Sequence, residues 1–227
     1  MIDLHTHTLL SDGALVPAEQ IRRAEMAGLT ILGITDHADL GTMGSILEQL
    51  LKVAQAENEL EGPLLVLAGV ELTHVRPRHM ERAANLARSL GAQLVIAHGE
   101  TLSEPVMPGT NRAAIDEGVD ILAHPGLITL DDAALAARRN VFLEISGKSG
   151  HCLANGHVAK TAISRKAGLI FGSDAHEPGQ FIDRAQAVRI CLGAGLAPGE
   201  IDGMFAAAEN FARHKDRQAE MDKVSDW

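Results

Sequence analysis

Residues able to do metal chemistry recur along this chain in one pattern, each directly after an apolar run. The first set is His5-Thr6-His7, followed by the polar turn Ser11-Asp12-Gly13. Alternate residues of a strand share a face, so His5 and His7 can aim their imidazoles at one point while Thr6 faces away. Two neutral imidazoles converging at a strand end suit Zn, Mn or Fe. Later runs end in Asp36-His37, Glu71, His98-Gly99-Glu100, His124-Pro125-Gly126 and Ser173-Asp174-Ala175-His176. Taken one at a time, each histidine is an ordinary core or surface residue; their joint placement at strand ends is not ordinary. A structural zinc site closes four ligands around one ion, usually with cysteine among them. Here His5, His7, Asp12, His37, Glu71, His98, His124, Asp174 and His176 offer only nitrogen and oxygen. That is too many for one ion and fits two or three, with a carboxylate such as Glu71 able to bridge.

The elements that must position these groups are legible from periodicity and punctuation. Apolar, partly β-branched runs at 1–4, 30–35, 64–70, 93–97, 119–123, 141–145 and 169–172 read as strands. Segments 18–27, 45–61, 77–90, 111–117, 131–139, 156–167, 184–192 and 198 to about 217 read as helices, most of them closed by glycine or proline. Strands that are apolar throughout and alternate with helices form a parallel sheet covered on both faces. The count is about seven strand–helix units, one short of the standard barrel of about eight. In a barrel or an open sheet alike, the strand carboxyl ends share one rim, where such folds put their active sites. No linker or composition break divides the chain, so 1–227 reads as a single domain with a charged tail frayed from about 215.

Composition bounds the function classes. The chain has 227 residues and is 46% hydrophobic, enough for one well-filled core. Aromatic residues make up 3%, with no tyrosine, which disfavours a surface that stacks bases or docks in a lipid interface. The formal charge of −10 likewise disfavours non-specific nucleic-acid binding, unless divalent cations change the field in a cleft. Two isolated cysteines, Cys152 and Cys191, give no disulfide framework and suit a reducing cytoplasm. The amino terminus has no signal-peptide character, and no apolar run reaches spanning length.

The motifs His5-x-His7 with Ser11-Asp12-Gly13, Ile34-Thr35-Asp36-His37, Gly69-Val70-Glu71, His124-Pro125-Gly126 and Gly172-Ser173-Asp174-Ala175-His176 together resemble the PHP (polymerase and histidinol phosphatase) family. The likeness runs from the first strand to about Glu177. It implies an α/β fold, a distorted barrel of seven β/α units, with a trinuclear metal centre and phosphoesterase activity. It also implies that all nine groups named above are ligands.

A phosphomonoester dianion repels a nucleophile at neutral pH; two or three bound cations would neutralise its oxygens and acidify a bridging water. Asp36, His98, His124 and His176 are the candidates for moving protons, with Asp36 also read as an orienter of a ligand histidine. Arg76, Arg78, Lys148 and His151 are candidate substrate contacts, Lys148 and His151 foremost because they lie in a Gly-Ser loop at the active rim. Ser146-Gly147-Lys148-Ser149 lacks the glycine spacing of a nucleotide-cradling loop, and Cys152 has no third group to orient a thiol nucleophile. The leading expectation is hydrolysis of a small phosphomonoester such as histidinol phosphate. Alternatives are a phosphodiesterase or nuclease using the same metals, a non-catalytic metal-binding module, and an amidohydrolase-type enzyme. The last would want a carbamylated lysine at a strand end, and no strand here ends in lysine.

Overall fold

The structure is a computed structural model that describes residues 1–60 and 62–225. Its centre is a wholly parallel sheet: β1 (Ile2–Asp3), β2 (Ile31–Ile34), β3 (His37–Ala38), β4 (Leu65–Leu72), β5 (Leu94–His98), β6 (Ile121–Ala123), β7 (Phe142–Ser146) and β8 (Leu169–Gly172). Pairing runs β1-β2-β4-β5-β6-β7-β8, and the short β3 pairs with the end of β4. Because β2 pairs with Leu65–Ala68 and β3 with Glu71–Leu72 on the same neighbour, they are one strand interrupted at Thr35-Asp36. Seven strand positions result, which agrees with the count of units read from the sequence.

The ring nearly closes. Beyond β1 and β8 the chain pairs at an isolated bridge between Thr6 and Ala175. His7 N donates to Ala175 O at 2.9 Å, and Asp174 N donates to His5 O at 2.9 Å. The first and last ligand-type motifs are thereby zipped together across the seam.

Why these runs are strands is visible in their burial. From Val66 to Leu72 every residue of β4 is buried, and β2 and β5 are buried throughout, as strands covered on both faces must be. The outer layer is α1 (Pro17–Met26), α2 (Met43–Asn58), α3 (Met80–Ser89), α4 (Thr110–Asp116), α5 (Leu130–Arg139), α6 (Asn155–Arg165), α7 (Arg184–Gly193) and α8 (Pro198–Ser225). Helix α2 starts two residues before the expected 45 and ends at Asn58, so Glu61, the expected end, lies outside the described residues. Segment 77–90 divides into a 3-10 turn, Pro77–His79, and α3. Asp226 and Trp227, the end of the tail read as frayed, also lie outside the described residues. Among the described residues, no helix is long and apolar enough to cross a membrane, and Cys152 and Cys191 are both free thiols.

Candidate metal centre

All the strands point their carboxyl ends at one rim, and the ligand-type side chains meet there. Glu71, at the end of β4, is fully buried and central. Its two oxygens divide the histidines between them. Oε2 lies 2.7 Å from His37 Nδ1, 3.5 Å from His5 Nε2 and 3.7 Å from His7 Nε2. Oε1 lies 3.2 Å from His98 Nδ1 and 3.5 Å from His124 Nε2. Asp174 faces it across the mouth, with Oδ1 3.3 Å from His7 Nε2 and 3.3 Å from His176 Nδ1, and Oδ2 3.8 Å from His124 Nε2. Asp12 adds an outer contact, 3.1 Å from His176 Nε2 and 3.6 Å from His37 Nε2.

These atoms sort into overlapping groups of metal-site dimensions. His7, Asp12, His37 and His176 form one; His5, His7 and Glu71 a second; His37, Glu71 and His98 a third. In each, the potential ligand atoms lie within 4.8 Å of one another. A second observation bears on whether cations fit. His5 Nε2, both nitrogens of His7, His98 Nε2, both nitrogens of His124 and Asp174 Oδ1 are buried without any hydrogen-bond partner. Buried polar groups are almost always paired. So many orphans converging on one point are what a set of coordinating atoms looks like.

The electrostatics agree. Although burial opposes it, His5, His98 and His37 hold the Glu71 carboxyl well below the usual carboxylate range. Against the same opposition from burial, the hydrogen bond from His176 and the charges of His37 and His176 bring Asp12 down to about 2. Burial pushes His7 down to about 3. Burial pushes His5 in the same direction, yet Glu144, Glu71 and Asp174 overcome it and hold His5 well above its ordinary value. The surroundings thus favour the ionised forms of Glu71 and Asp12 and the neutral form of His7, the states metal ligation needs, while the carboxylates around His5 favour its protonated form, which a bound cation would oppose.

Local backbone conformations serve this mouth. His124 and Asp174 sit at φ +29° and +53°, a left-handed region that non-glycine residues rarely enter. Gly126 (φ +59°) packs so that any Cβ would strike the carbonyl of Glu100, and Gly172 leaves room that the Glu144 carboxylate occupies.

Residues 3–164 match the family described as the PHP domain. The chain belongs to that family. An uncharacterized protein of Methanocaldococcus jannaschii is 41% identical to this PHP domain over 203 residues, covering 88% of this chain and 92% of its own. Among solved structures, a chain of archaeal ribonuclease P with mature tRNA superposes with a TM-score of 0.72 at 18% identity, covering 96% of this chain and 92% of that one. Histidinol phosphate phosphatase from Lactococcus lactis, solved with zinc, L-histidinol and phosphate, gives a TM-score of 0.60 at 15% identity, covering 86% and 94%. At these identities the two solved structures share the fold.

Of the remaining residues singled out in the sequence, two join the mouth and three do not. Lys148 Nζ donates to the Asp174 carbonyl at 3.0 Å and contacts His176 Nδ1 at 2.6 Å. His151 stacks on His124, with ring centroids 4.0 Å apart, and its Nδ1 meets Thr101 Oγ1 at 2.7 Å. Burial, and after it His124, pushes His151 down to about 4, so at neutral pH it offers a neutral ring. Arg76 and Arg78 are on the turn leading into α3, and among the described residues neither makes a hydrogen bond or ion pair with the ligand-type side chains. Asp36 is buried but turned to the loop after β1: it accepts from Thr8 N and Thr8 Oγ1, both at 2.7 Å, and from Ser11 Oγ at 2.6 Å.

Two acidic residues of the centre carry no mark in the sequence motifs. Glu144, buried within β7, accepts from His5 Nδ1 at 2.7 Å and from the His124 backbone N–H at 3.0 Å. Its one signal is a lone carboxylate inside the apolar run 141–145. Glu104, half-exposed on the loop after β5, lies 3.1 Å from His98 Nε2, 3.4 Å from His151 Nε2 and 3.4 Å from His74 Nε2. Nothing local marks it, because its loop has no periodicity.

Proposed function

We propose that this PHP domain is a metal-dependent phosphoesterase that hydrolyses a small phosphomonoester of the histidinol phosphate kind. The observation that carries this reading is the set of orphaned imidazole nitrogens and ionised carboxylates around Glu71. His5, His7, Asp12, His37, Glu71, His98, His124, Asp174 and His176 would hold two or three divalent ions, of Zn, Mn or Fe. Such cations supply charge to bind and neutralise a phosphoryl group and lower the pKa of water. The chain's own residues do the rest. Glu144 fixes the ring of His5 through Nδ1 and leaves Nε2 directed at the centre, the way an outer carboxylate orients a coordinating imidazole. Thr73 Oγ1, 2.6 Å from His37 Nδ1, shares that nitrogen with Glu71 Oε2 and leaves Nε2 on the side of Asp12. Asp36 pins the turn that carries Asp12, acting by position and not by proton transfer. Lys148, beside Asp174 and His176, brings a cation to where a phosphate oxygen would lie, and His151 adds a neutral donor. His176 and His98, which contact the partly exposed Asp12 and Glu104, are the proton carriers best placed to reach a leaving group.

The test is phosphate release by metal-reconstituted protein from a panel of monoesters including histidinol phosphate, alongside a bis-ester and single-stranded DNA. Release from small monoesters that stops on chelation is the expected result. Cleavage of the diester or DNA alone replaces the reading with a nuclease, and silence on every substrate with metals bound replaces it with a non-catalytic metal-binding module.

A further inference from the structure

The opposite end of the barrel carries a second feature that the metal centre does not explain. There the loops entering β6, β7 and β8 and the outer half of α8 surround a cleft of about 500 Å³, lined among others by Asp120, Arg139, Phe142, Lys166, Phe211 and Lys215. A second hollow of about 550 Å³ shares Ala137 and Lys166 with it and adds Arg138 and Arg165. Four cations, Arg138, Arg139, Arg165 and Lys166, are therefore divided between two adjoining hollows of a chain whose net charge is −10.

A plain explanation exists for part of this. The four lie at the carboxyl ends of α5 and α6, where basic residues offset the helix dipole. Magnitudes limit that explanation. Each helix end carries roughly half a negative charge, so two ends account for about one cation and leave the others uncompensated. Among the described residues, none of the four has a carboxylate within ion-pair distance. The acid that lines the cleft is already engaged: Asp120 pairs with Lys215 at 2.6 Å and accepts the Val95 backbone N–H at 2.8 Å. Asn140 and Lys166 both hold left-handed backbone (φ +56° and +57°), which ends the two helices abruptly and brings the three loops together. The edge-to-face pair Phe142–Phe211, with centroids 5.2 Å apart, adds an apolar side to the basic wall.

We infer that this cleft binds a phosphate group attached to an apolar or aromatic moiety, the chemistry of a nucleotide, at a site separate from the metal centre. Its volume falls in the range of about 300–1,000 Å³ typical of small-molecule sites. The phosphate would rest on Arg139 and Lys166, with Arg165 adding charge from the adjoining hollow, and the flat moiety against Phe142 and Phe211. The same chemistry is available from a free nucleotide and from a unit of an RNA strand.

The experiment is calorimetric titration of the metal-loaded 227-residue chain with ADP, and with a single-stranded RNA of about 12 nucleotides, a length that suits short strand-binding sites. Three proteins are compared: wild type, the surface variant Arg139→Gln/Arg165→Gln/Lys166→Asn, and Glu71→Ala. Asparagine tolerates the left-handed backbone at position 166, and an unchanged melting curve checks the fold. ADP binding weakened about tenfold or more by the surface variant and kept by Glu71→Ala supports the cleft. RNA binding that the surface variant alone weakens supports it too, with the log–log salt slope shallower by about 0.7 for each phosphate no longer neutralised. Phe211→Ala should weaken ADP more than pyrophosphate, which has no flat moiety. Binding retained by the surface variant but abolished in Glu71→Ala would assign the anion to the metal centre and overturn the inference, as would no binding up to about 1 mM. Monoester turnover, unaltered by the surface variant, keeps this result separate from the proposed catalysis.

Discussion

Strand β4 holds two kinds of chemistry within eight residues. Val66, Leu67, Ala68 and Val70 are fully buried among other apolar side chains, with their backbone groups paired to β2 and β5. At the far end, Glu71 is just as fully buried, yet it is ionised and ringed by five imidazoles. The middle of the barrel obeys the rule that apolar burial stabilises and polar groups find partners. The mouth breaks it, with nitrogens and a carboxylate oxygen left unpaired. Groups of this kind raise the free energy of a folded chain unless something compensates them. The contrast teaches that one end of the sheet holds the fold together and the other is held together by what it binds.

The sharpest way to break this comparison is a pair of substitutions two pleats apart. Glu71→Ala should abolish hydrolysis, by about a thousandfold or more, and strip metal from the protein, because a single residue serves both groups of histidines. Leu67→Ala should instead lower stability by about 2–5 kcal/mol and leave turnover per folded molecule close to wild type. Steady-state kinetics, metal analysis and urea melts read all three quantities. If the Leu67 variant shed metal, or the Glu71 variant kept its turnover, the two ends of the strand would not be separable.

That separability is also why so much of the site is legible in the sequence. A ligand at a strand end needs only the strand to be found, since a parallel α/β sheet delivers all carboxyl ends to one rim. His5, His37, Glu71, His124 and Asp174 are each marked by the apolar run before them. Glu144 is hidden because it sits inside such a run, and its partner His5 is 139 residues away. The position of Asp36 misleads for a similar reason. Adjacency to His37 suggests a role toward a histidine, but the interruption of the strand at Thr35-Asp36 turns its carboxylate to Thr8 and Ser11. Tertiary partners decide such roles, and local sequence carries no record of them. The basic cleft shows the same limit: Arg139, Lys166 and Lys215 are far apart in the chain and become neighbours only when the barrel closes.

Glu144 offers a gentler probe of the boundary between the two regions. It belongs to the apolar sheet by position and to the mouth by its bonds to His5 Nδ1 and His124 N. Glu144→Gln keeps the shape and the backbone contact but removes the charge that orients and polarises His5. Outer partners of coordinating imidazoles are typically worth about 10–100-fold in metal affinity or activity. Competition with a graded series of chelators should show a weakening of that size, with kcat falling in parallel. An unchanged affinity would mean that Glu144 serves the barrel alone.

The smallest effect lies in the outer layer and tests what burial does where a neighbouring charge opposes it only weakly. Cys191 of α7 is wholly buried, and burial pushes its thiol from an ordinary value near 9 up to about 11, with Arg184 only partly opposing. At the mouth, buried carboxylates stay ionised because imidazoles surround them; here, a buried thiol stays neutral because little opposes its burial. The sign follows from the raised value. Below pH 9 the thiol is protonated in both folded and unfolded chains, and its contribution to stability is constant. Between pH 9 and 11 the unfolded chain loses this proton first, so stability falls as pH rises. Cys191→Ala should flatten that limb of the melting temperature against pH relative to wild type and leave the neutral region displaced by a constant amount. A decline equally steep in the variant would place the alkaline sensitivity elsewhere and remove Cys191 as the measure of simple burial.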